Sequence, residues 1–167
     1  MSQYANITLT VDATLTSALD LVSTVSPLEY TSRVELTPGT GASASDMQWS
    51  DRRTLIASAT EDLDLAGSLT GPQGTTLTFA RVKAVIVKAL GTNTNAVQVT
   101  RPASNGAVLF MAAGDGISLA AGETFAWFSD TAAGKAVTAA TGDLLTITNS
   151  AGTTSVTYDI IVIGASA

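Results

Sequence analysis

The stretch Val82-Lys83-Ala84-Val85-Ile86-Val87 decides the fold class, because apolar residues occupy both its odd and its even positions. A second stretch of the same kind, Tyr158-Asp159-Ile160-Ile161-Val162-Ile163, lies near the C-terminal end. Short apolar runs of this length are typical of strands that are buried on both faces. The two stretches therefore predict central strands of a sheet, or strands that meet another subunit.

The segments around these two stretches show the two-residue alternation of half-buried strands. Ile7, Leu9 and Val11 alternate with polar residues, and Val34 and Leu36 do the same. Other predicted strands cover 76–79, 97–100, 108–111, 117–119, 124–128 and 144–148, with turns rich in Gly and Asn between them. The fold class that we predict is all-β, a β-sandwich or a jelly roll with at most one or two short helices.

One of those helices is predicted between Ser17 and Val25. Ala18, Leu21, Val22 and Val25 follow helical spacing, and Pro27 would end the helix. The same stretch also has apolar residues at strand spacing, so the strand alternative stays open.

Composition excludes several classes of chemistry. The chain has 167 residues, no Cys and no His. Cysteine and histidine nucleophile systems and the usual zinc, haem and iron–sulfur sites are therefore not expected. Apolar residues make up 46% of the chain and charged residues 13%, which predicts a folded protein rather than a disordered one.

Charge is distributed unevenly along the chain. Residues 1–70 carry nine acidic side chains against three basic ones, whereas residues 71–167 are balanced. Because no cluster of Lys and Arg is present, we expect no nucleic-acid partner. No apolar run approaches the roughly 20 residues of a membrane-spanning helix, and no secretory signal is apparent, so we expect synthesis in the cytoplasm and no membrane partner.

A shift in composition near residues 58–67 divides the chain into two predicted regions. Residues 1–61 are expected to form an acidic N-terminal segment, either a docking arm or strands added to the main sheet, and residues 62–167 a β-sandwich or jelly-roll domain. Apolar side chains of the first region could pair onto an exposed edge of a partner. The candidate docking residues are Ile7, Leu9 and Val11.

Three short motifs resemble ligand sites without meeting their requirements. Gly39–Ala44 matches a dinucleotide fingerprint, but Pro38 precedes its turn and no βαβ periodicity surrounds it, and Asp130–Lys135 lacks the first glycine and final hydroxyl of a phosphate-binding loop. Glu61-Asp62-Leu63-Asp64 offers carboxylates for Ca²⁺, although a solvated strand edge explains it more simply. We therefore predict no catalytic, cofactor-binding or metal-binding residue, and no enzyme activity.

Two tryptophans are candidate stacking residues for a sugar. Trp127 lies in the run Phe125-Ala126-Trp127-Phe128, and Trp49 lies far from it in the sequence. Strand alternation would put Phe125 and Trp127 on one face and Phe128 on the other, so a core role explains the same pattern.

Five segments give the chain a likeness to known proteins. They are DLDLAGSLT (62–70), FARVKAVIVK (79–88), GDGISLAAGE (114–123), GDLLTITNS (142–150) and VTYDIIVIGAS (156–166). In these segments the chain resembles structural proteins of tailed-bacteriophage virions, of the capsid decoration or cement type. The resemblance implies a β fold without catalytic residues, a location on the capsid surface, and a homo-oligomer, for example a trimer, bound to the major capsid protein. A tail or fibre component and a carbohydrate-binding adhesion module are the alternatives.

Overall fold

The computed structural model describes residues 3–18 and 20–167, and these residues form strands, turns and loops with no helix. The all-β prediction is confirmed. The described strands are β1 (Ala5–Ala18), β2 (Ser23–Pro38), β3 (Ala44–Ser45), β4 (Met47–Leu55), β5 (Thr60–Asp64), β6 (Arg81–Ala89), β7 (Val97–Thr100), β8 (Gly116–Leu119), β9 (Thr124–Phe128), β10 (Lys135–Ala136), β11 (Leu144–Asn149) and β12 (Val156–Ala165).

Most of the strands form a sandwich, called the body below, of two mainly antiparallel sheets. The first sheet has the order β10-β6-β12-β4, and β9 pairs with β6 on the same side as β10. The second sheet has the order β5-β11-β7-β8. One core cluster draws residues from both sheets, including Val85 and Val162 from the first and Val99 and Ile147 from the second. Burial between two sheets is the arrangement that alternating strands require.

The two stretches that are apolar on both faces become the two central strands of the first sheet. They are β6 and β12, which pair antiparallel with Ile161 opposite Ile86 and Val162 opposite Val85. Val87 and Val162 are fully buried on the inner face. Central placement follows from their composition, because each strand has a sheet neighbour on both sides and little need of polar side chains.

The first two strands form a long hairpin, called the arm below. β1 and β2 pair antiparallel from Ala5 opposite Leu36 to Ala18 opposite Ser23. At about 3.4 Å per residue, the 14 residues of β1 make the arm roughly 45 Å long. β2 meets the body through a short parallel pairing with β3.

The structure overturns several local expectations. In place of the helix expected between Ser17 and Val25, residues 17–18 and 23–25 lie in strands, and residue 19 is outside the described residues. No strand forms over 76–79 or 108–111, although Thr76 makes an isolated bridge to Thr70. The backbone of 76–79 still donates hydrogen bonds from Leu77 to Leu69 and from Phe79 to Leu65, but these do not extend into a strand.

Residues 1–61 contribute to both parts of the molecule. Residues 5–18 and 20–38 form the arm, whereas β4 pairs with β12 along nine residues and carries Trp49 and Leu55 into the body core. The change from arm to body therefore falls between β2 and β4, upstream of the composition shift.

Candidate assembly surface

The arm has two faces of opposite character, because side chains alternate along each strand. One face is apolar and contains no charged residue. Its cross-strand pairs are Ala5–Leu36, Ile7–Val34, Leu9–Ser32, Val11–Tyr30, Ala13–Leu28, Leu15–Ser26 and Ser17–Thr24. We call this set the apolar face.

The opposite face of the arm carries all the charged residues of its two strands. Asp12 lies directly opposite Glu29, and Arg33 forms an ion pair with Glu35 and donates a hydrogen bond to Asn6 at 3.0 Å. Like charges that face each other across a strand pair destabilise it. This face is therefore suited to contact with solvent, and its charged side chains do not pack in a core.

The body covers only the base of the apolar face. Leu36 is fully buried, and Ile7 and Val34 pack with it against Ala84 and Ile163 of the body. Ala84 and Ile163 are paired residues on the outer side of the first sheet. The body therefore stands on the same side of the arm as the apolar face, at one end of it.

Beyond the base, the apolar face is open to solvent. The exposed fractions are 48% for Leu9, 41% for Val11, 73% for Leu15, 57% for Leu28 and 55% for Tyr30. The turn adds Leu21, which is 93% exposed, and Val22, which is 61% exposed. An isolated two-stranded hairpin is marginally stable in water. An arm with this much open apolar area on one side has the character of one half of an interface.

A buried lysine joins the arm to the body. β6 has a register irregularity opposite Ile163 and Gly164, and Lys83 lies in it with none of its surface exposed. Its Nζ donates hydrogen bonds to the carbonyl oxygens of Gly41 at 3.3 Å, of Ala132 at 2.8 Å and of Thr131. Burial lowers the pKa of Lys83, and the nearby charge of Arg81 lowers it further. The ammonium thus holds the loop after the arm, near Gly41, against the loop between β9 and β10.

Two glycines permit this contact of Lys83 with loops 39–43 and 129–134, which is called the joint below. A Cβ on Gly164 would lie 2.1 Å from the carbonyl oxygen of Arg81, so only glycine allows β12 to pass there. Gly134 has a φ of 53°, and a Cβ there would lie 2.4 Å from the carbonyl oxygen of Val82. Close approach of backbone to backbone explains both residues.

The three predicted docking residues fall into two groups. Ile7 belongs to the covered base, whereas Leu9 and Val11 lie on the open part of the apolar face. Sequence reasoning missed the β2 half of this surface, Tyr30 and Leu28. Only the pairing with β1 shows that they share a face with Val11 and Ala13.

The two candidate stacking tryptophans lie apart. Trp49 is 4% exposed and belongs to the body core, where Arg53 lies over its ring at 5.2 Å. Trp127 is half-buried under Lys135, whose Nζ is 5.4 Å from the ring centroid. Both occur in one row across the first sheet, separated by β12 and β6, which puts them roughly 14 Å apart. They form no shared stacking platform.

The acidic run at 61–64 is divided between two faces of β5. Glu61 faces inward and accepts hydrogen bonds from the hydroxyl of Tyr158 at 2.6 Å and from Arg53 at 2.6 Å. Tyr158 is fully buried, and burial together with the hydrogen bond to Glu61 raises its pKa. Asp62 instead accepts a hydrogen bond from Thr146 at 2.5 Å. Within the described residues, no group of three or more acidic side chains is placed to hold a metal ion.

The Glu61 cluster closes the sandwich where β4 of one sheet meets β5 of the other. Arg53 also bonds Asp51 at 3.0 Å, so every charged group of the cluster has a partner. Such a paired network stabilises this edge of the sandwich.

The two glycine-containing motifs form loops of the joint. The loop after β2 contains Gly39, which has a φ of 138°. In the same loop the backbone amide of Ser43 donates a hydrogen bond to the carbonyl oxygen of Asp130 at 2.7 Å. Asp130 opens the second motif. The two stretches that resembled nucleotide loops in sequence are thus bonded to each other and to Lys83.

Comparison of the chain with protein-family models, with curated proteins and with solved structures finds no match. In the part of the chain that the structure describes, no helix is long and apolar enough to cross a membrane.

Proposed function

We propose that this protein is a non-enzymatic structural subunit of a virion, a capsid decoration (cement) protein on the surface of a phage head. One observation carries the proposal. Large apolar side chains are exposed to solvent along the open part of the apolar face, on a hairpin whose strands have 14 and 16 residues. A chain that stays alone in water gains nothing from exposing so much apolar area. A subunit that assembles buries it against its neighbours.

The body supports the same function, because its packing makes it a firm base for the arm. It is a two-sheet sandwich whose charged cluster at Glu61 is fully paired and whose loops are bonded to one another. A rigid body that holds a long arm is suited to a lattice, where the body sets position and the arm makes contacts. The partners of this proposal are further copies of the chain, in a homo-oligomer, and the major capsid protein.

The test removes the open part of the arm and leaves the body intact. Thr10 and Thr31 are paired, so residues 11–30 can be replaced by the two-residue turn Asn-Gly, which suits a short hairpin. We expect the shortened protein to fold, because the described residues of the deleted stretch lie outside the core clusters of the body, and to be lost from purified particles. The matched control is Thr10→Lys together with Thr31→Glu in the full-length arm, which places opposite charges across the strand pair and changes only the polar face.

Copy number per particle, measured by quantitative mass spectrometry, distinguishes the alternatives. Hundreds of copies support decoration, whereas a few copies would favour a tail or fibre component. Binding to purified particles that survives shortening of the arm would overturn the proposed role of the arm. A carbohydrate-binding module would instead lose binding to a glycan array on Trp127→Ala, with particle binding absent from the start.

A further inference from the structure

We infer that the open part of the apolar face is covered by the same face of a second copy of this chain, with the two arms antiparallel around a two-fold axis. The inference rests on the proposed function and names the partner of the arm. Four observations lead to it, concerning charge, shape, direction and area.

Charge limits the partner to an uncharged apolar surface. All charged side chains of β1 and β2, namely Asp12, Glu29, Arg33 and Glu35, lie on the polar face. A partner with charged groups facing Val11 or Tyr30 would bury them without a counter-charge, which is costly. The apolar face itself meets this requirement, since it has no charged residue over all seven pairs.

Shape limits the partner to a flat strip two strands wide. From Leu9 to the turn, the open part is roughly 35 Å long. Exposed large apolar residues of the described body lie in three separate places, with Ile56 at the end of β4, Val108, Met111 and Ile117 around β8, and Ile161 on the outer side of β12. None of these makes such a strip. Within the described residues, the matching surface is the arm of another copy.

Direction follows from the position of the body. The body packs on the apolar face at Ile7 and Val34, through Ala84 and Ile163. A second arm laid parallel on this face would have to put its own base, and its own body, in the space that the first body already fills. An antiparallel arm avoids this clash, because its turn stops near Leu9 while its body lies beyond the other turn.

Area matches what a specific dimer needs. Taking roughly 150–250 Å² for a large side chain, the five exposed residues of the face expose about 500 Å², and Leu21 and Val22 at the turn bring this to about 800 Å². Two copies would bury roughly 1,000 Å² through the face residues alone, which reaches the minimum for a specific interface, and roughly 1,600 Å² with the turn residues included. Such a contact is isologous, as a two-fold pair requires.

The first experiment measures the oligomeric state of the full-length protein by sedimentation velocity over a wide concentration range. We expect a concentration-dependent dimer. Val11→Lys should weaken it at least about tenfold, because it buries a charge within the open part of the face. Thr10→Lys adds the same charge one residue away on the polar face and should leave the dimer unchanged. A wild-type monomer at all concentrations, or equal effects of the two variants, would overturn the inference.

The second experiment measures direction. The chain has no Cys, so Thr8→Cys on the polar face gives one spin label per copy. For antiparallel arms we expect a distance between the two labels of roughly 45–50 Å, and for parallel arms roughly 25 Å. The shorter distance would overturn the antiparallel arrangement.

Failure of this inference and failure of the proposed function give different results. If the protein is monomeric in solution but needs its arm to bind particles, the proposed function is supported and the two-fold arm pair is contradicted. If it forms the antiparallel dimer but is absent from particles, the arm pair is supported and the virion role is contradicted.

Discussion

At the scale of single residues, Lys83 decides how the arm is attached to the body. Its ammonium is the shared donor to three carbonyl oxygens from two loops. A lysine is rarely fully buried unless its ammonium is paired. The irregularity in β6, together with Gly134 and Gly164, gives this side chain a position where it is both buried and hydrogen-bonded.

Lys83→Met should therefore loosen the joint. The substitution keeps an unbranched side chain only one heavy atom shorter but leaves the carbonyls of Gly41, Thr131 and Ala132 without this donor, at a cost of about 1–3 kcal/mol in the free energy of unfolding. We expect faster amide hydrogen exchange in the two loops that contain these carbonyls. Lys88→Met, on the exposed side of the same strand, is the control and should change neither quantity. An unaltered exchange rate in Lys83→Met would show that the ammonium does not hold the loops.

Tyr158 should make the protein sensitive to alkali. Because burial raises its pKa, the folded chain keeps the phenol proton at a pH where the unfolded chain has lost it. The contribution of Tyr158 to stability is thus fully present below about pH 10 and decreases as the pH rises above that value. Tyr158→Phe should lower the free energy of unfolding at neutral pH by about 1–3 kcal/mol, since Glu61 loses a donor, and should reduce its decline above pH 10.

Denaturant unfolding at a series of pH values measures both effects. Tyr30→Phe, at a position that is 55% exposed, is the matched control. If the two variants show the same pH dependence, the buried hydrogen bond to Glu61 is not its source.

At the scale of elements, the polar face of the arm contains a pair that weakens it. Asp12 and Glu29 face each other across β1 and β2. Glu29→Lys replaces repulsion by attraction, and we expect about 0.5 kcal/mol of added arm stability, seen as roughly twofold slower amide exchange in both strands. The body should exchange at its original rate.

Glu35→Lys is the matched control for this prediction. It makes the same change of charge on the same face and strand, but it removes the ion pair with Arg33. Faster exchange is expected near the base of the arm. Slower exchange in both variants would mean that total charge, rather than the Asp12–Glu29 pair, controls the stability of the arm.

At the scale of the whole molecule, the body should fold without the arm but not without β4. A chain of residues 39–167 keeps every strand of the two sheets, whereas one of residues 58–167 lacks β4, its pairing with β12, and the core residues Trp49 and Leu55. We expect the first chain to unfold cooperatively on heating and the second to aggregate, because β12 would become an unprotected apolar edge. Circular dichroism and light scattering on heating measure the two outcomes; cooperative unfolding of both would mean that β4 is dispensable.

The sequence by itself determined the class of the body and its centre. Six-residue apolar runs at β6 and β12 predict strands with neighbours on both sides, and the absence of His and Cys rules out several chemistries without any coordinates. These properties are local, because the side-chain period of a strand can be read along one segment.

Only the tertiary structure decided the arm, the joint and the Glu61 cluster. Residues 17–25 fit a helix and a strand equally well in sequence, and the pairing of β1 with β2 selected the strand for the described residues of that stretch. Val11 and Tyr30, Lys83 and Gly41, and Glu61 and Tyr158 are each distant in sequence and meet in space. Which apolar face is covered depends on these distant contacts, because burial is a property of two surfaces and the sequence pattern describes only one.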